Sequence, residues 1–80
     1  MRARVFVTLK KSVFDPQGRT IVDALHSLGY EGVADVRQGK FFEVSLEGVA
    51  PDKAKATIED IAHKVLANPV IESYRVEVDQ

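Results

Sequence analysis

The stretch Asp35-Val36-Arg37-Gln38-Gly39-Lys40-Phe41-Phe42-Glu43-Val44 decides the fold, because a glycine between two short apolar runs places two strands back to back in mid-chain. Residues 33 to 37 and 41 to 47 read as those strands, joined around Gly39, with Phe42, Val44 and Leu46 facing one way and Phe41 the other. The turn is basic. Arg37 offers a planar fork and Lys40 a mobile point charge, so the tip suits a carboxylate or phosphate carried by another molecule. It holds donors and no nucleophile. A solvated hairpin closed by Gly39, with two cations that only keep it soluble, is the plainer alternative.

Upstream, residues 4 to 10 alternate as a strand, with Val5, Val7 and Leu9 on one face and Arg4, Thr8 and Lys10 on the other. Phe6 breaks the polar side. Asp15 before Pro16 is a helix start, since the carboxylate caps free amides while proline tolerates the first helical position. Ile21, Ala24, Leu25 and Leu28 recur at helical spacing until Gly29, so the first helix covers about residues 16 to 28. Downstream, Gly48 to Asp52 is a loop, and Pro51 opens a second helix with Ala54, Ile58, Ile61, Ala62 and Val65 on one stripe. Asn68 and Pro69 end it. From Val70 to Val78 period two resumes, with Tyr74, Val76 and Val78 on one side.

The order strand-helix-strand-strand-helix-strand predicts an α+β two-layer sandwich, an antiparallel sheet with both helices on one face. Phe6 and Phe41 then point to the uncovered face, where apolar groups fit another copy of the sheet better than water. A homodimer or dimer of dimers is expected. At 80 residues the chain reads as a single domain, residues 1–80, small enough that partners would add to a modest core. The absence of cysteine excludes a disulfide scaffold and any thiolate ligand or nucleophile. The start turns charged again at Lys10 and Lys11, too soon for a signal peptide or a membrane span, so the cytoplasm is the expected compartment. A formal net charge of -1 argues against a nucleic-acid binder that relies on phosphate neutralisation.

Catalytic constellations are scarce. His26 and His63 lie on different helices beside the apolar stripes, without a paired ligand, so no metal site is expected. Ser12, Ser27, Ser45 and Ser73 have no nucleophile-elbow context. Glu59 and Asp60 with Lys55 and Lys64 form the charge spacing of a solvated helix face. Gly18 after Asp15-Pro16-Gln17 is a lone glycine and no phosphate loop. Gly39-Lys40-Phe41-Phe42 has the glycine and aromatics of an RNA-recognition motif, but Lys40 stands where an aromatic should follow and Glu43 replaces an apolar residue.

Val7-Thr8-Leu9-Lys10, Asp15-Pro16-Gln17-Gly18, Leu28-Gly29-Tyr30, Val36-Arg37-Gln38-Gly39-Lys40 and Leu66-Ala67-Asn68-Pro69-Val70-Ile71-Glu72, in this order and spacing, resemble the PurS family nearly end to end. That family supplies the small subunit of phosphoribosylformylglycinamidine synthase. Phe14 and Ser73 depart from the commoner Leu and Asp without touching a motif core. The resemblance implies a noncatalytic partner in purine (IMP) biosynthesis, bridging a glutaminase subunit, PurQ, and an ATP-dependent synthetase subunit, PurL, so that ammonia passes without escape. It also implies no cofactor on this chain, ATP and Mg being used elsewhere in the complex, and no activity by the chain alone. The expected partner-binding residues are Arg37, Gly39 and Lys40, and the expected oligomer contacts are Phe6 and Phe41. A small-molecule regulatory domain of similar architecture and an RNA-binding module are the competing classes.

Overall fold

The computed structural model describes residues 1–79. Strand β1 (Arg2–Leu9) lies between β2 (Gly39–Ser45) and β3 (Glu72–Asp79), antiparallel to both. Helix α1 (Pro16–Ser27) follows β1, and α2 (Pro51–Ile61) joins β2 to β3. Alternation along β1 sends Ala3, Val5 and Val7 to one face, where all three are fully buried. Register places Phe42 and Val76 on either side of Val5, and Val44 and Val78 on either side of Ala3, so the three strands share one apolar face. Helix α2 covers it with Ala54, Ile58 and the following Ala62, none of them accessible to water.

Beyond Ile61 the second helix widens into a π turn over Ala62–Leu66, closed by the Ala67 N–H donating to the Ala62 carbonyl at 2.8 Å. The extra residue rotates the end of the helix out of α-helical phase. Val65, expected on the apolar stripe, is therefore 76% exposed, while Ala67 is buried and Leu66 half-buried.

The α+β class and the antiparallel sheet are as expected, but the strand expected over residues 33 to 37 does not form. No turn intervenes between residue 33 and β2, so Gly39 begins a strand and closes no hairpin. The order is strand-helix-strand-helix-strand. The cause is local: the backbone of residues 33 to 38 is bonded to α1 and its cap, which holds it away from the outer edge of β2.

A second correction concerns the helices, because only α2 lies on the sheet. Helix α1 starts as expected, Asp15 Oδ1 accepting from the Gly18 N–H at 3.0 Å with Pro16 at the first position, and Gly29 stops it at a φ of +96°. Its apolar face is another matter. Val22 is buried, but Ile21 and Tyr30 are exposed and Leu28 is 73% exposed. Together α1 and residues 33 to 38 form an arm beyond one end of the sheet. The molecule measures 50 × 25 × 14 Å, and its radius of gyration is 16.1 Å, against about 12 Å for a compact domain of this length.

Candidate functional site

Three segments meet where the arm leaves the sheet, and Asp15 is their pivot. While Oδ1 caps α1, Oδ2 accepts from the Gln38 N–H at 2.7 Å, so one buried carboxylate ties the helix start to the chain entering β2. The Gly18 and Gln38 amides hold its pKa below the ordinary value, with a further contribution from the Arg37 charge, against the opposing effect of burial. Gly18 has a steric reason. A Cβ there would lie 2.0 Å from the Val36 carbonyl oxygen. At Gly39 a Cβ would lie 2.5 Å from the Val7 carbonyl oxygen, so both motif glycines are places where backbones touch.

The structure brings Arg37, Gly39 and Lys40 to this junction, though not as an open hairpin tip. Arg37 Nη2 donates to the Lys10 and Val13 carbonyls at 3.0 and 2.7 Å, fastening the β1–α1 loop. Lys40 Nζ lies 3.2 Å from Glu72 Oε2, and Glu72 Oε1 accepts from the Asn68 N–H at 2.7 Å. The Asn68 amide, and after it Lys40, holds the Glu72 pKa below its ordinary value. Both cations therefore have partners within the chain. Lys40 nevertheless keeps half its side chain in water and borders an open pocket of about 210 Å³ with Asp15, Gln17, Gln38 and Glu72. Glu72 was hidden in the sequence because its partner lies across β1; the motif ending in Asn68-Pro69-Val70-Ile71-Glu72 was the available signal.

On the opposite face of the sheet Phe6 and Phe41 are register partners, with ring centroids 5.1 Å apart and planes inclined at 33°. The Arg75 guanidinium caps Phe6 at 4.3 Å from the ring centre. Arg75 was not foreseen as part of this cluster, since only register brings it opposite Phe6. Around these rings the charges cancel. Arg2 pairs with Glu43 at 3.7 Å, Arg4 forks onto Asp79 at 2.6 and 2.9 Å and reaches Glu77, and Arg75 also pairs with Glu77. The Arg4 fork lowers the Asp79 pKa, and the two acids raise that of Arg4. A nucleic-acid platform needs unpaired cations beside its aromatics; this face has aromatics beside matched ion pairs.

Two further polar groups serve the backbone. His26 Nε2 lies 2.8 Å from the Val33 carbonyl, and Ser27 Oγ donates to the Asp23 carbonyl at 3.0 Å. His63 meets the Tyr74 ring edge-on. What the arrangement offers is surface: an arm with an open apolar face, a junction with a half-exposed ion pair, and a neutral sheet face bearing two stacked rings.

The family model described as PurS: Phosphoribosylformylglycinamidine (FGAM) synthase matches residues 2–80. The chain is 44% identical over 79 residues to the phosphoribosylformylglycinamidine synthase subunit PurS of Bacillus subtilis, covering 99% of this chain and 93% of that one. It is 40% identical over 79 residues to the corresponding subunit of Methanocaldococcus jannaschii, covering 99% and 95%. The solved B. subtilis PurS structure superposes with a TM-score of 0.87 at 43% identity, covering 99% of this chain and 98% of that one. A chain in the structure of PurLQS from Thermotoga maritima superposes with a TM-score of 0.85 at 29% identity, covering 95% and 93%.

Proposed function

This chain belongs to the PurS family of phosphoribosylformylglycinamidine synthase subunits, and from that premise we infer that it is the noncatalytic assembly subunit of such a complex in de novo purine biosynthesis. In this reading a glutaminase, PurQ, releases ammonia, and a synthetase, PurL, uses ATP and Mg to activate an amide oxygen. Ammonia then displaces phosphate to give the amidine. The small subunit binds both, in the cytoplasm, and keeps the ammonia from being lost to solvent between them. The observation that carries this reading is the fit to the chain from PurLQS, a solved assembly of the three kinds of subunit. The residues support it, because the polar side chains described above are engaged in caps, ion pairs and loop ties.

The junction is the docking surface we assign to the larger subunits, with Lys40 as its contact and Arg37 and Gly39 as its frame. Self-association is part of the same reading, with Phe6 and Phe41 as a contact between copies. Co-purification with PurL and PurQ, with and without Mg-ADP and glutamine, tests it. Complex formation and restored glutamine-dependent amidine synthesis are expected, and failure of all three to co-elute under every condition overturns it. Lys40→Ala should lower the chain's own stability by only about 0.5 kcal/mol while weakening the complex at least tenfold. Arg37→Ala, which frees two loop carbonyls, should cost about 1 kcal/mol of folding stability before any effect on docking.

A further inference from the structure

Most cations of this chain are neutralised by its own carboxylates, but Lys10, Lys11, Arg37 and Lys53 form no ion pair among the described residues. All but Lys53 belong to one place. Lys10 and Lys11 lie on the β1–α1 loop, and Arg37 Nη2 fastens that loop through the Lys10 and Val13 carbonyls. The grip fixes the guanidinium without neutralising it. Both Nη2 hydrogens go to carbonyls, which bring no net charge, so Nε and Nη1 keep N–H groups without an acceptor among the described residues. Asp15, an acid that feels this charge, is buried and spends one oxygen on the Gly18 amide and the other on the Gln38 amide. Beside the guanidinium lies an open cavity of about 240 Å³ lined by Lys11, Asp35 and Arg37, which shares no residue with the pocket that Lys40 borders.

We propose that this cavity binds a phosphomonoester that carries a hydroxyl group, a ligand that the docking of Lys40 does not require. The phosphate lies between the Arg37 guanidinium and the Lys11 ammonium, where two cations balance a dianion. An arginine already held by the loop gives up little freedom on binding, while Lys11 closes on its flexible stem. Asp35 reads the other end. Its carboxylate forms no ion pair among the described residues, so it repels a second carboxylate or an acidic segment but accepts a hydroxyl proton, as acidic residues do from ribose hydroxyls. The cavity is larger than a bare phosphate fills, which leaves room for the alcohol. Bound there, the ligand joins the β1–α1 loop to the segment entering β2, the two pieces that Arg37 already ties.

Titration of the isotopically labelled full-length chain with glycerol 3-phosphate, followed by amide resonances at physiological ionic strength to suppress loose ion pairing, tests this. Saturable binding with a Kd of about 1 mM or tighter is expected, with the shifts centred on residues 10–13 and 35–37. Lys11→Gln should weaken it by roughly tenfold or more, the worth of one charged hydrogen bond, without moving the melting temperature of the free chain. Lys53→Gln makes the same charge change elsewhere and should leave binding as it is. Inorganic phosphate should bind roughly fivefold more weakly than the ester, a gap that Asp35→Ala should close. Equal affinity of the wild-type chain for the two overturns the ester, and tighter binding of triglutamate at the same amides overturns it in favour of an acidic peptide. No saturable shift at about 10 mM glycerol 3-phosphate, ten times a weak millimolar Kd, removes the site altogether, as does binding that Lys11→Gln and Lys53→Gln weaken alike. Co-purification with PurL and PurQ is read separately, so failure of either test leaves the other reading standing.

Discussion

Helices α1 and α2 are nearly the same length, 12 and 11 residues, and both begin at a proline. They meet different fates. In α2 Ala54 and Ile58 are fully buried, and Ile58, with Ala62 just beyond the helix, packs into one core with Ala3, Val5 and Val7 of β1. In α1 only Gly18 and Val22 are buried, and the stripe ends in the open at Leu28. A 3.6-residue period tells which face of a helix is apolar; it does not tell which surface, or which chain, will cover it.

The sharpest break between the two helices should come from Ile58→Ala. Emptying a fully buried site should cost about 3 to 4 kcal/mol, seen as a lower denaturant midpoint at constant slope. Leu28→Ala should cost the monomer no more than about 0.5 kcal/mol. In the assembled protein the same change should weaken association, and a Leu28 variant that associates like wild type would mean that α1 stays uncovered.

Next in size is Gly18→Ala. The new methyl would collide with the Val36 carbonyl and cannot be absorbed by a flexible side chain, so a loss of about 3 kcal/mol is expected. A neutral result would show that the arm is not held against the helix start. Gly29→Ala meets no neighbouring atom and suffers only from its positive φ, so it should cost about 1 kcal/mol.

Acid should affect the junction more than the α2 core. Asp15 and Glu72 have folded pKa values below the ordinary 3.8 and 4.5, so each stabilises the fold above those values. That contribution is lost as pH falls through the folded values. Thermal melts should be nearly flat in this contribution between about pH 7 and pH 5 and fall below about pH 4. Asp15→Asn, which can still cap Gly18 but not serve two amides as a carboxylate does, should flatten the acid limb. An unchanged acid limb would remove Asp15 from the account.

Much of this was legible in the chain. Asp15-Pro16 marked a helix start and Gly29 its stop, Val5 and Val7 marked a buried strand face, and Ala54 and Ile58 the docked helix. Phe6 and Phe41 were placed on one face before their contact was visible, because period two fixes facing even when register is unknown. Other features depend on long-range geometry. Val65 was misplaced since a π turn leaves no mark in a 3.6-residue pattern. The engagement of Arg37 and Lys40 was unreadable because their partners, Val13 and Glu72, are 24 and 32 positions away. Residues 33 to 37 have the pattern of a strand, but pairing needs a neighbour, and Asp15 and Gly18 hold this segment out of reach of its own β2.

The claim that the fold is finished only by assembly is tested most directly by thermal unfolding at protein concentrations a hundredfold apart. If a second copy covers α1, mass action adds about 2.7 kcal/mol per dimer across that range, and the midpoint should rise by about 5 to 10 °C. A midpoint that does not move with concentration, with α1 melting together with the sheet, would contradict it.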